Sequence, residues 1–314
     1  MTGVALLQGV AGVVLYLGYA WLVGSLCSRY CLAGGAGYPA RRSTDVMRRG
    51  EPWAACACLA GGAAWLYTAA CTMSGLPLAH AHRVVWLTAS QTSVGRNCLA
   101  GLAIMGLALV LVGAAGRARR RSTATPATPE ATLLATLLAI LLAAYACSRA
   151  LSSHAAEAGL LSIEFAMEWL HVMFTVVWVG IVLMSAWLIV PLHRAAGMAH
   201  RVERGVYLQR LSGLAGAALA GIVVTGVYNA SMRIGSWSNA TGNAYSNVLL
   251  IKGALVLLAL AIGAYNKVFG FPLVTSTGRV APHVLLLLRA ESVLLIGALI
   301  AAVLLGSMSP PSSM

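Results

Sequence analysis

The chain has 314 residues, of which 60% are hydrophobic and 9% charged, and its formal net charge is +13. A mean hydropathy of +0.83 excludes a soluble globular domain, because apolar stretches of about 20 residues each are what a membrane-spanning helix requires. The ten-residue alternating segments of a membrane β-barrel are missing, so the fold class is all-α and polytopic.

Eight apolar stretches follow one another, roughly at 4–26, 53–73, 97–116, 131–149, 164–192, 209–230, 247–267 and 284–307. They fill most of the chain and predict a single transmembrane domain over 1–314, a bundle of eight helices. The first stretch has no basic leader and no obvious cleavage site, so it reads as a retained helix. The Pro/Thr linker "STATPATPE" (122–130) separates a three-helix part (1–121) from a five-helix part (131–311). In the sixth stretch Gly213, Ala217, Gly221 and Thr225 recur every four residues, a small-residue face suited to close helix packing.

The basic residues alternate by loop. Loops 27–52, 117–130, 193–210 and 267–283 carry 15 Lys or Arg, whereas 74–96, 148–163 and 231–246 carry 4. That asymmetry follows the positive-inside rule and predicts both termini outside. The positive charge is therefore a topology signal and implies a lipid bilayer, with no nucleic acid as partner. No phosphate-binding loop, nucleophile elbow or H-E-x-x-H motif occurs, and the expectation is a protein that is not an enzyme.

The segment "EWLHVMFTVVWVG" (168–180) departs from its apolar surroundings. Glu164, Met167, Glu168, His171, Thr175 and Trp178 are spaced by three or four residues and share one helix face. His171 lies seven residues inside Glu164, about 10 Å at 1.5 Å per residue. A carboxylate and an imidazole at that depth must face protein, a partner or water. Imidazole and thioether together suit copper, and Glu168 is placed to fix the imidazole tautomer; the same pair also suits a purely structural hydrogen bond. His80 and His82 form an "HAH" in an outer loop, and His154 lies in another.

Elsewhere, Cys27, Cys31, Cys56 and Cys58 sit at the inner ends of the first two helices, as Cu(I)-receiving thiols or as small apolar fillers. Cys71, Cys98 and Cys147 lie toward the outside, where pairing is open. Lys252, Arg289 and Glu291 are charges within apolar stretches and need partners, as structural ion pairs or as part of a proton or ion path. Arg289 and Glu291 are two residues apart and so do not face each other.

"LSSHAAEAG" (151–159) followed by "EWLHVMFTVVWVG" resembles the copper resistance protein D (CopD) family. The likeness continues in "TGNAYSNVLLIK" (241–252), "AYNK" (264–267), "LLRAESVLLIG" (287–297) and the terminal "SPP" (309–311), and more weakly in "TSVGR" (92–96). It implies an eight-helix protein of the bacterial inner membrane that moves copper, alongside a small periplasmic copper-binding protein. His154 and His171 correspond to the family's histidines, Glu168 to its acidic residue, and Trp178 and Gly180 to its W-x-G. Cys98 and Ser246 depart from the family pattern. The resemblance directs the constellation toward capture of Cu(I) or Cu(II) by His80, His82 and His154, with an intramembrane stop at His171, Met167 and Glu168. A b-type haem protein using His171 as an axial ligand is the alternative, and a copper sensor or assembly partner is a third reading.

Overall fold

The computed structural model describes residues 3–35, 37–121, 129–234 and 243–308. These residues are helical almost throughout, with no strand among them. Eight helices are long and apolar enough to cross a membrane: Gly3–Cys31, Tyr38–Ser74, Ser93–Ala118, Pro129–Ala150, Ile163–Ala195, Arg201–Arg233, Ala244–Thr277 and Pro282–Leu305. The linker residues 122–128, residues 241–242 and the terminal "SPP" lie outside the described residues.

The elements run α1 (Gly3–Cys31), α2 (Tyr38–Ser74), α3 (His82–Gln91), α4 (Ser93–Arg121), α5 (Pro129–Ala150), α6 (Ile163–Met184), α7 (Val190–Ala195), α8 (Arg201–Ile234), α9 (Ala244–Tyr265), α10 (Phe271–Thr277) and α11 (Pro282–Leu305). The short α3 sits in a segment expected to be a loop. Helix α2 begins well before residue 53, through a charged stretch. Ala40, Ser43, Met47 and Glu51 are all buried there, and their spacing of three to four residues forms the stripe a helix needs.

Two spans contain a π-turn. At Ser185–Ile189 the Val190 amide donates to the Ser185 carbonyl, and at Asn266–Gly270 the Phe271 amide donates to the Asn266 carbonyl. Each turn ends two residues before a proline, Pro191 and Pro272. Proline has no amide hydrogen and its ring crowds the carbonyl four residues back. Widening the helix by one residue absorbs that conflict without ending the span.

The internal packing divides the chain into two units, Met1–Leu22 with Glu51–Met173, and Val23–Gly50 with Phe174–Met314. In the first unit α1 and α2 approach closely at two glycines. A Cβ on Gly18 would stand 2.6 Å from the Ala54 carbonyl oxygen, and one on Gly61 would stand 2.7 Å from that of Ala11. The Cys58 thiol donates to the Leu15 carbonyl at 3.3 Å. Tyr19 and Tyr145 meet edge to face at 4.9 Å. The "TSVGR" segment starts α4: Thr92 Oγ1 accepts from the Gly95 amide at 2.9 Å and donates to the Thr88 carbonyl at 2.7 Å. Gly95 packs so tightly on that carbonyl that no side chain fits there.

The second unit is built on the long α9–α11 pair. Gly221 of α8 receives the Phe174 ring, which gives the small-residue face of that helix its occupant. Arg204, 3% exposed, donates to the carbonyls of Gly278 at 2.7 Å, His193 at 2.9 Å and Gly197 at 2.6 Å. One guanidinium thus ties the start of α8 to the ends of α7 and α10. Arg210 reaches the end of α1, 2.6 Å from the Ala33 carbonyl, where a cation suits the exposed carbonyls.

Candidate functional site

In the first unit, α6 is rotationally fixed by large side chains on one face. Ser162 Oγ accepts from the Phe165 amide at 3.1 Å and caps the helix start. Trp169 Nε1 donates to the Ala143 carbonyl at 3.1 Å. The Tyr19 hydroxyl lies 2.7 Å from the Leu142 carbonyl and 3.7 Å from Met173 Sδ. Trp169 and Met173 are four residues apart and so share the face turned to α5 and α1. The helical period places Glu164, Met167, Glu168 and His171 on the opposite face.

Those four side chains are half-buried rather than enclosed. Glu168 and His171 each take part in a polar or ring interaction. His80 and His82 are exposed. His80 closes the 3-10 turn Leu78–His80, and His82 opens α3 with its Nδ1 3.0 Å from the Ala79 carbonyl. The backbone of His154 begins the 3-10 turn His154–Ala158, and its side chain lies outside the described residues. Among the described residues no group of three or more His, Cys, Asp or Glu is arranged to hold a metal ion. The expected ligands therefore stand as His171 with Met167 and Glu168 on one helix face, and as two separately exposed loop histidines.

The cysteines are free thiols, all seven of them. Cys27, half-buried, and Cys31, buried, belong to the second unit, whereas Cys56, exposed, and Cys58, buried, belong to the first. The sequence placed these four together as an inner group; their division between units follows from where α1 and α2 pass from one unit into the other.

In the second unit the W-x-G segment has a structural explanation. Trp178 is 3% exposed and hydrogen-bonds the carboxyl of Glu291 on α11. Gly180 faces Gly24 of α1, where an added Cβ would stand 2.5 Å from the Gly180 carbonyl carbon. One turn of α6 thus reaches two neighbouring helices. Nearby, Trp187 Nε1 donates to Ser292 Oγ at 2.9 Å, and the Arg289 guanidinium stacks over the Trp187 ring at 4.9 Å. Arg289 and Glu291 take separate partners on α6 and its π-turn, as their two-residue spacing requires.

Four further polar residues lie at or near the two π-turns of this unit. Ser185, in the first π-turn, and Tyr207 share a hydrogen bond at 2.6 Å. The His193 ring lies 6.0 Å from that of Tyr207 and is 1% exposed, with neither ring nitrogen hydrogen-bonded. Asn266, in the second π-turn, is equally buried, and both atoms of its amide lack a hydrogen-bond partner.

In the first unit a cation is set among aromatic rings. Arg149 of α5 lies 5.1 Å from the Trp65 ring and 5.8 Å from the Tyr16 ring. A guanidinium over aromatic faces gains about 0.5–2 kcal/mol and keeps its charge in an apolar setting.

No curated protein and no solved structure showed significant similarity to the chain. A family model does match: residues 205–305, about a third of the chain, fit copper resistance protein D. The match runs from α8 through α11 and so includes the buried carboxyl of Glu291 and the π-turn at Asn266. This part of the chain is similar to copper resistance protein D, and its eight long apolar helices make the protein a multi-pass membrane protein.

Proposed function

We propose that the protein moves copper across the bacterial inner membrane, with both termini on the periplasmic side. The observation that carries this reading is the CopD family match over 205–305 on an eight-helix membrane protein. Copper is the cargo, taken as Cu(I) or Cu(II) on the periplasmic side, where a small copper-binding protein delivers it. His80, His82 and His154 supply capture by imidazole. His171, flanked on its helix face by Met167 and Glu168, offers the next stop within the membrane. Soft thioether and borderline imidazole donors select copper over harder cations, and a face of half-buried donors exchanges metal more readily than a closed cage. No bond is made or broken in the cargo, and the reading is of a transporter rather than an enzyme.

The test is copper content and the optical spectrum of the purified protein, wild type beside His171→Ala. The expected result is copper bound by the wild type, lost on substitution, with no Soret band in either. Copper binding that is indifferent to His171 overturns the assigned stop. A Soret band that disappears with His171 replaces the copper reading with the haem one.

A further inference from the structure

Glu291 is 4% exposed, in the middle of an apolar span. Among the described residues its hydrogen-bonding side chain is the Trp178 indole, which has a single donor. On the facing helix the Cβ position of Gly263 is 3.1 Å from Glu291 Oε1, so that glycine is the space the carboxyl occupies. Leu288 and Leu295, one turn to either side on α11, are buried as well.

Among the described residues no cation is paired with this carboxyl. Arg289 of α11 lies over Trp187, and His283 at the start of α11 is exposed. On the α9 side, Lys267 Nζ is 3.6 Å from the Cβ position of Gly216 on α8. Tyr265 is exposed and stacks with Phe269 at 5.2 Å. Lys252 is eleven residues from Gly263, about 16 Å along α9. On the α6 side Trp178 is the polar contact, with the Ser185–Tyr207 pair two turns further along.

An ionised carboxylate buried without a counter-charge costs several kcal/mol, and such a group is neutralised instead. A protonated carboxyl avoids that cost.

We propose that Glu291 is a proton-binding site of the second unit, protonated while enclosed against Gly263 and exchanging that proton with water during transport, so that copper movement is tied to proton exchange. One proton is taken up by the carboxylate and one released per cycle; no other bond changes. The coupling rests on the copper-transport reading, whereas the protonated carboxyl does not.

The test therefore has two arms on the full-length protein in lipid. Infrared spectroscopy at neutral pH is expected to show the carbonyl band of a protonated carboxylic acid in the wild type. That band disappears in Glu291→Gln and moves in frequency in Trp178→Phe, which removes the indole donor along with part of the ring. Spectra identical in this region for wild type and Glu291→Gln overturn the site; should that variant fail to fold, an unmoved band in Trp178→Phe does so. The second arm uses liposomes with an entrapped pH dye and added Cu(I). Wild-type copper movement with a matching pH change, abolished in Glu291→Gln, is the expected outcome. Copper movement without a pH change overturns the coupling and leaves transport standing. No wild-type copper movement overturns transport and the coupling together, and the infrared band then decides the proton site alone.

Discussion

Replacing Gly24 by Ala puts a backbone-to-backbone helix contact of the second unit to a direct test. The new Cβ would stand 2.5 Å from both the carbonyl carbon and oxygen of Gly180 and 2.7 Å from its Cα. Carbon atoms rest at about 3.5–4.0 Å, so α1 and α6 must part by about 1 Å. All three obstructing atoms are backbone, and no rotamer relieves the clash. Overpacking of this kind costs about 1–3 kcal/mol. The gap opened beside the contact forfeits a quarter to a half of each neighbouring dispersion well, which places the total at the upper end of that range. At 1.4 kcal/mol per tenfold, about 2–3 kcal/mol is a shift of roughly 30- to 150-fold in the packing equilibrium. The assay is thermal unfolding in a mild detergent, with Gly213→Ala as the control, since nothing lies within 4 Å of a Cβ at that glycine. Gly24→Ala is expected to unfold at clearly lower temperature and Gly213→Ala at or above the wild type. Equal midpoints for the two variants refute the claim that the Gly24–Gly180 contact fixes this crossing.

Two other substitutions read the same unit. Trp178→Phe removes the one side-chain donor to Glu291 and is expected to cost about 1–3 kcal/mol. Combining it with Glu291→Met should be far less costly than the sum of the singles, because both polar partners are then gone; an additive double-mutant cycle argues against the bond. Arg204→Lys replaces a planar fork that reaches three carbonyls with a single ammonium. The difference between the two cations in geometry predicts faster proteolysis in 195–201 and 277–281, and an unchanged cleavage pattern contradicts the clamp.

The eight spans were legible because the bilayer imposes one requirement, a run of apolar residues, that hydropathy reports directly. The helix starts were not. Helices α2 and α8 begin well before their apolar windows because a narrow buried stripe is enough to continue a helix. In α8 that stripe is Arg204, Tyr207, Leu208 and Leu211, all buried. A window average mixes such a stripe with the charged residues beside it. The two π-turns carried a signal, a proline within an apolar span, but proline alone does not say whether a helix kinks, ends or widens. The Glu168–His171 face has to meet protein, a partner or water, and the side chains there are half-buried; periodicity gives a shared face and says nothing of how much of it is covered.

The W-x-G spacing shows how a short motif follows from helix geometry. Residues two apart on an α-helix point about 200° from each other at 3.6 residues per turn. Trp178 and Gly180 therefore serve opposite sides of α6: the indole reaches α11 and Glu291, and the bare glycine backbone admits α1. A larger residue at 180 pushes α1 away, and a smaller one at 178 leaves a buried carboxyl without its donor. Shifting either residue by one position turns it about 100° and loses its contact. The spacing is therefore a requirement of the α1–α6–α11 arrangement in the second unit, independent of any metal.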